Sequence, residues 1–157
     1  MKRASWLCML GAYVAAVAFA TLWGSVFQTQ HTLHRLGELG VEIGAGMRVS
    51  ATLRDLVGFA PVYALIVAAT LLVVFALAGL LSRLTPQVHH TLHALGAGVG
   101  LAAAIRLIDS LAPMPTLISA TRSVTGLLVM TLGALLAGTL YGWITRPRFD
   151  AEAGPRH

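Results

Sequence analysis

The side chains best suited to chemistry come as a near-duplicate heptapeptide. His31-Thr-Leu-His-Arg-Leu-Gly37 recurs as His90-Thr-Leu-His-Ala-Leu-Gly96, identical at six of seven positions and 59 residues apart. Five of the six histidines, His31, His34, His89, His90 and His93, lie in or beside these copies. His-x-x-His on a helix places two imidazoles on one face, a spacing that suits a transition metal, and Glu38 lies one further turn beyond His34. A bis-His haem b is the redox version of the same idea. His31, His34, Glu38, His90 and His93 are therefore the candidate metal or haem ligands. The alternative for them is interfacial placement, where imidazole is amphipathic and only partly charged.

A second group is ionic. Arg106 and Asp109 are one turn apart inside an otherwise apolar stretch, Arg122 opens the next, and Arg54 and Asp55 precede another. Ionisable groups near membrane depth are costly and are functional suspects by default, although an i, i+3 pair can simply neutralise itself. Arg54, Asp55, Arg106, Asp109 and Arg122 are the candidate ligand-binding cluster. No nucleophile constellation, catalytic carboxylate pair, phosphate loop or zinc-enzyme motif accompanies them, so no enzyme activity is expected.

The elements that position these residues follow from composition. Of 157 residues, 57% are hydrophobic and 11% charged, under half the charged share of an ordinary soluble domain. That excludes a soluble enzyme and a nucleic-acid module, despite the net charge of +5. Four runs lack Asp, Glu, Lys and Arg: Ala4–His34, Leu56–Ser82, Leu84–Ile105 and Ser123–Thr145. Each exceeds the roughly 20 residues that cross a hydrocarbon core of about 30 Å. In lipid the backbone must satisfy itself, so these runs are helices, expected at about 5–27, 58–82, 88–111 and 121–145. The fold class is thus an all-α integral membrane protein, four transmembrane helices in one bundle forming a single membrane domain over 1–157.

Orientation follows from the cations. Lys2, Arg3, Arg83, Arg146 and Arg148 fall on one side of four alternating spans, which the positive-inside rule makes cytoplasmic. Both termini are then inside, with 146–157 a cytoplasmic tail, and an Arg-rich, Ala/Leu/Gly-rich chain suggests a bacterial inner membrane. Trp6, Trp23, Tyr141 and Trp143 sit near expected span ends, as interfacial aromatics do. Lys2-Arg3, the apolar run and Ala18-Phe19-Ala20 also resemble a cleavable signal, but the run continues past them, which favours a retained anchor. Gly96, Gly98, Gly100, Gly126, Gly133 and Gly138, with Ala102–Ala104, mark close helix packing within the chain or between copies. The lone Cys8 allows no internal disulfide.

Residues 28–57 form the one long segment between spans. Its glycines divide it into two amphipathic pieces, lying on the outer interface or dipping back as a re-entrant hairpin. The two heptapeptides follow helices of opposite direction, so a true duplication would be inverted across the membrane, as in many transporters. The expected role is non-enzymatic: an accessory subunit of a larger membrane complex, or a small transporter-like protein. The bilayer and a homo-oligomer or larger membrane-protein complex are the expected partners, with no nucleic acid and no cofactor. The alternative is a bis-His haem or metal-binding membrane redox protein.

Overall fold

The computed structural model describes residues 2–40, 42, 44–111 and 124–152, with the side chains of 2–5, 86 and 146–152 left aside. The described residues form helices α1 (Lys2–Glu38), α2 (Ala45–Gly58), α3 (Ala60–Leu84), α4 (His89–Leu111) and α5 (Val124–Glu152), with a 3-10 turn at Pro86–Val88 and no strand. Four of these helices are long and apolar enough to cross a membrane: α1 from Trp6, α3, α4 and α5 to Thr145. By length and composition this is a multi-pass membrane protein.

The first helix is longer than its apolar run requires. The sequence places its end near 27, followed by a separate amphipathic piece; instead the helix continues unbroken through both histidines to Glu38. No glycine or proline interrupts residues 25–36, and nothing else there opposes helix. At 37 residues α1 is about 55 Å long, well beyond the roughly 30 Å hydrocarbon core. It ends where Gly40 takes φ 85°, a left-handed conformation that glycine adopts without a β-carbon penalty.

One residue separates α2 from α3. Phe59 keeps helical angles (φ −87°, ψ −42°), its N–H donates to the Asp55 carbonyl at 2.8 Å, and its carbonyl accepts from the Tyr63 N–H at 3.0 Å. The interruption is Pro61, which has no N–H to offer the Val57 carbonyl one turn back. The expected run of the second amphipathic piece into the second span is therefore nearly literal.

Pairwise contacts show how the long helices meet. α1 packs on α3 and α5, and α4 packs on α3 and α5. Each neighbouring pair is antiparallel. The Tyr13 hydroxyl donates to the Ala68 carbonyl at 2.7 Å, and Gly24 faces Tyr63. Trp23 Nε1 donates to the Val129 carbonyl at 3.0 Å. His93 meets Phe75 on α3 and Tyr141 on α5. Hence the start of α1, the end of α3, the start of α4 and the membrane-spanning end of α5 share one end of the molecule. The α1–α2 turn lies at the other.

Buried positions on α3 recur every three or four residues: Ala60, Tyr63, Val67, Leu71, Phe75, Ala78 and Ser82. Of these, Tyr63, Val67, Leu71 and Phe75 share one core with Leu101 and Ile105 of α4, Met130, Ala134 and Ala137 of α5, and Ala12, Ala16 and Ala20 of α1. The remaining faces expose large apolar side chains all round, among them Val14, Leu22, Leu65, Leu72, Leu95, Val99, Leu128 and Leu132. Such an inside-out distribution suits hydrocarbon and would be intolerable in water.

Small residues set the distances between helices. A β-carbon at Gly138 would collide with the His93 carbonyl and stand 2.9 Å from Ala94 Cα, so α4 and α5 touch backbone to backbone. A β-carbon at Gly133 would run into the Trp23 indole. Both glycines are used inside the chain, which gives the small-residue pattern an internal purpose.

Candidate functional site

Two polar regions stand out, one at each end of the long helices. At the α1–α2 end, Arg48, Thr52 and Asp55 are spaced four and three residues apart and share one face of α2. That face meets α1. Thr29 Oγ1 donates to Asp55 Oδ2 at 2.7 Å and also lies 3.0 Å from the Ser25 carbonyl; its single proton is better placed on the shorter, charge-assisted bond. Gln30 Nε2 donates to Thr52 Oγ1 at 3.2 Å, and Arg48 Nη1 donates to Gln30 Oε1 at 3.2 Å. Thr52 in turn donates to the Arg48 carbonyl at 2.8 Å. The second helix is thus tied to the first by polar groups rather than by a hydrophobic core, and none of its residues is buried.

The polar character continues down α1. Thr21, Ser25, Gln28 and Thr29 are all buried and lie on one helix face. Further toward the start of α1 the buried positions are alanine, at Ala12, Ala16 and Ala20. A sequence reading that looks for charge and histidine passes over these uncharged residues. Their signal is present as Thr, Ser and Gln at spacings of four and three around Gly24, inside a run otherwise rich in Ala, Val and Leu.

The expected ionic residues differ in their surroundings. Asp55 is held by Thr29, Arg54 points to the exposed side of α2, and Arg106 is exposed on α4. Asp109 is half-buried and has a partner of its own. Arg122 lies outside the described residues.

The two histidine copies stand at opposite ends and in different surroundings. In the first, His31 stacks on Phe27 with ring centroids 5.7 Å apart, while His34 Nε2 is 3.6 Å from Glu38 Oε1 on the exposed surface. In the second, His89 and His93 are buried and His90 is half-buried beside Gly142. The Thr145 hydroxyl donates to the Tyr141 carbonyl at 2.8 Å, so His89 Nε2, 3.1 Å away, is the donor to Thr145 Oγ1. His93 Nδ1 donates to the His89 carbonyl at 2.8 Å. Its ring packs against Phe75 and Tyr141, which themselves stack at 4.1 Å. Among the described residues no three His, Cys, Asp or Glu side chains converge as metal ligands. His31, His34 and Glu38 are one set, and His90 and His93 belong to the far end.

Compared with known protein families, curated proteins and solved structures, the chain matches none. The functional reading therefore rests on the geometry above.

Proposed function

We propose that the four long helices form one bundle in a bacterial inner membrane, and that the protein is a non-enzymatic accessory subunit of a larger membrane assembly. The observation that carries this reading is the face that α2 leaves open. Its polar side is spent on α1, and Val49, Leu53 and Val57, spaced by four residues, form an exposed apolar stripe on the remaining surface. The part of α1 that pairs with α2, residues 29–38, adds about 15 Å of helix beyond the Tyr63 level. An apolar stripe on such an extension favours cover by a partner protein or by a second copy. Lys2, Arg3, Arg83, Arg146 and Arg148 support cytoplasmic termini, with the α1–α2 hairpin on the outer side.

The test is the size of the particle that carries the full chain when native membranes are solubilised directly into polymer-bounded discs. The wild type is expected in particles heavier than one chain, and Leu53→Asp with Val57→Asp in single-chain particles of unchanged helicity. A wild type that emerges as one chain overturns the reading. The mass of the particle separates a homo-oligomer from a mixed complex.

A small transporter-like protein is the second reading, favoured by the buried polar face of α1. Against it, the other half of the interior is closed by Val67, Leu71, Ala97, Leu101 and Ala134, leaving no polar route through one chain among the described residues. A haem or metal role for the histidines is tested by the visible spectrum and metal content of the purified protein. A Soret band or a stoichiometric metal would replace the subunit reading with a redox one.

A further inference from the structure

Four buried oxygen atoms at the α1–α3 contact have no hydrogen-bond partner among the described residues: Thr21 Oγ1, Ser25 Oγ, Gln28 Oε1 and Tyr63 Oη. Their residues are 7%, 0%, 9% and 0% exposed. They also belong together in space. A β-carbon at Gly24 would stand 2.7 Å from the Tyr63 hydroxyl, so that hydroxyl lies directly over Gly24. On a helix the neighbours of position 24 on that face are positions 21, 25 and 28, which are the other three residues. Native interiors leave few such atoms unbonded, and four on neighbouring positions of one helix and the tyrosine that faces it call for a partner.

We propose that Thr21, Ser25, Gln28 and Tyr63 enclose an internal hydration site, occupied by bound water, at the α1–α3 contact. The chemistry of the set selects a neutral guest. Gln28 Oε1 only accepts, the three hydroxyls both donate and accept, and none carries charge. Water offers two donors and two acceptors and typically makes about three bonds in such places. The nearby carboxylate, Asp55, is already engaged by Thr29, whose hydroxyl stands between it and the Ser25 carbonyl. The site therefore adjoins the polar seam of α1 and α2. This inference is independent of the accessory-subunit reading: the site is a property of one chain.

The experiment uses the full-length protein in detergent with Cys8 replaced by alanine, so that one introduced thiol is read at a time. Silver ion, which is small and reaches thiols only through water, is the probe. Ser25→Cys is expected to lose its thiol to silver, measured as failure to alkylate after denaturation. Ala16→Cys, equally buried but on the alanine-lined part of the same helix, is expected to keep its thiol under the same exposure. A Ser25→Cys thiol as protected as Ala16→Cys overturns the proposal. Tyr63→Phe gives a second reading without any cysteine. If the hydroxyl is bonded to water, its removal lowers the melting temperature by about 2–4 °C. If the hydroxyl is buried dry, removing it relieves an unsatisfied group, and a melting temperature at or above that of the wild type overturns the proposal.

Discussion

Glycine 138 shows how much a single residue decides in a protein whose helices have no hydrophobic drive to associate in lipid. Van der Waals contact and interhelical hydrogen bonds must do that work, and both need backbones close together. At Gly138 the neighbouring surface is the His93 carbonyl and the Ala94 backbone, neither of which can swing aside. Gly138→Leu is therefore expected to destabilise the protein by more than the about 1–3 kcal/mol typical of an overpacked core, read as loss of folded protein in a denaturant titration. Gly11 is the control. It lies exposed, a β-carbon there would meet nothing within 4 Å, and Gly11→Leu is expected to change stability by about 0.5 kcal/mol or less. Equal effects at the two positions would show that the α4–α5 contact is not as close as described.

At the scale of the element, α2 owes its position to hydrogen bonds and to its covalent continuity with α3. Among the described residues three hydrogen bonds tie it to α1: Asp55 with Thr29, Thr52 with Gln30, and Arg48 with Gln30. A hydrogen bond to a charged group is worth roughly 1.5–3 kcal/mol, and about 1.4 kcal/mol corresponds to a factor of ten in an equilibrium. Asp55→Leu is expected to release α2 locally, so that its amides exchange with solvent on the order of tenfold faster or more while those of α4 are unchanged. Uniform acceleration across all helices would mean instead that Asp55 supports the whole fold. No change at all would mean that continuity with α3 suffices to hold α2.

For the whole molecule, the antiparallel order of α1, α3, α4 and α5 puts the two ends of the described chain at the same end of the packed helices. The proposed orientation makes that end cytoplasmic, and His34, at the far end and exposed, becomes the outside marker. In a Cys8→Ala background, His34→Cys is expected to react in intact cells with a thiol reagent that cannot cross the inner membrane. Arg83→Cys, at the end of α3, is expected to react only after the membrane is opened. The reverse pattern overturns the orientation while leaving the helical order untouched.

What the sequence determined by itself is the set of properties that depend on composition along the chain. Charge-free runs longer than the hydrocarbon core require helices there, whatever they pack against, because lipid offers the backbone no partner. The four long apolar helices and the entry of α2 into α3 at Pro61 were legible for that reason. The extent of α1 was not, because an amphipathic stretch reads the same whether it lies flat or continues a helix; only pairing with α2 shows that residues 29–38 extend it. Side-chain neighbourhoods were the least legible. His34 and His93 occupy equivalent places in the repeat, yet one lies on the surface and the other among Phe75, His89 and Tyr141. Asp55 found a threonine on α1. The face a helix buries is settled by its neighbours, and those are fixed by the close approaches at Gly24, Gly133 and Gly138, contacts between residues far apart in the chain that no local pattern encodes.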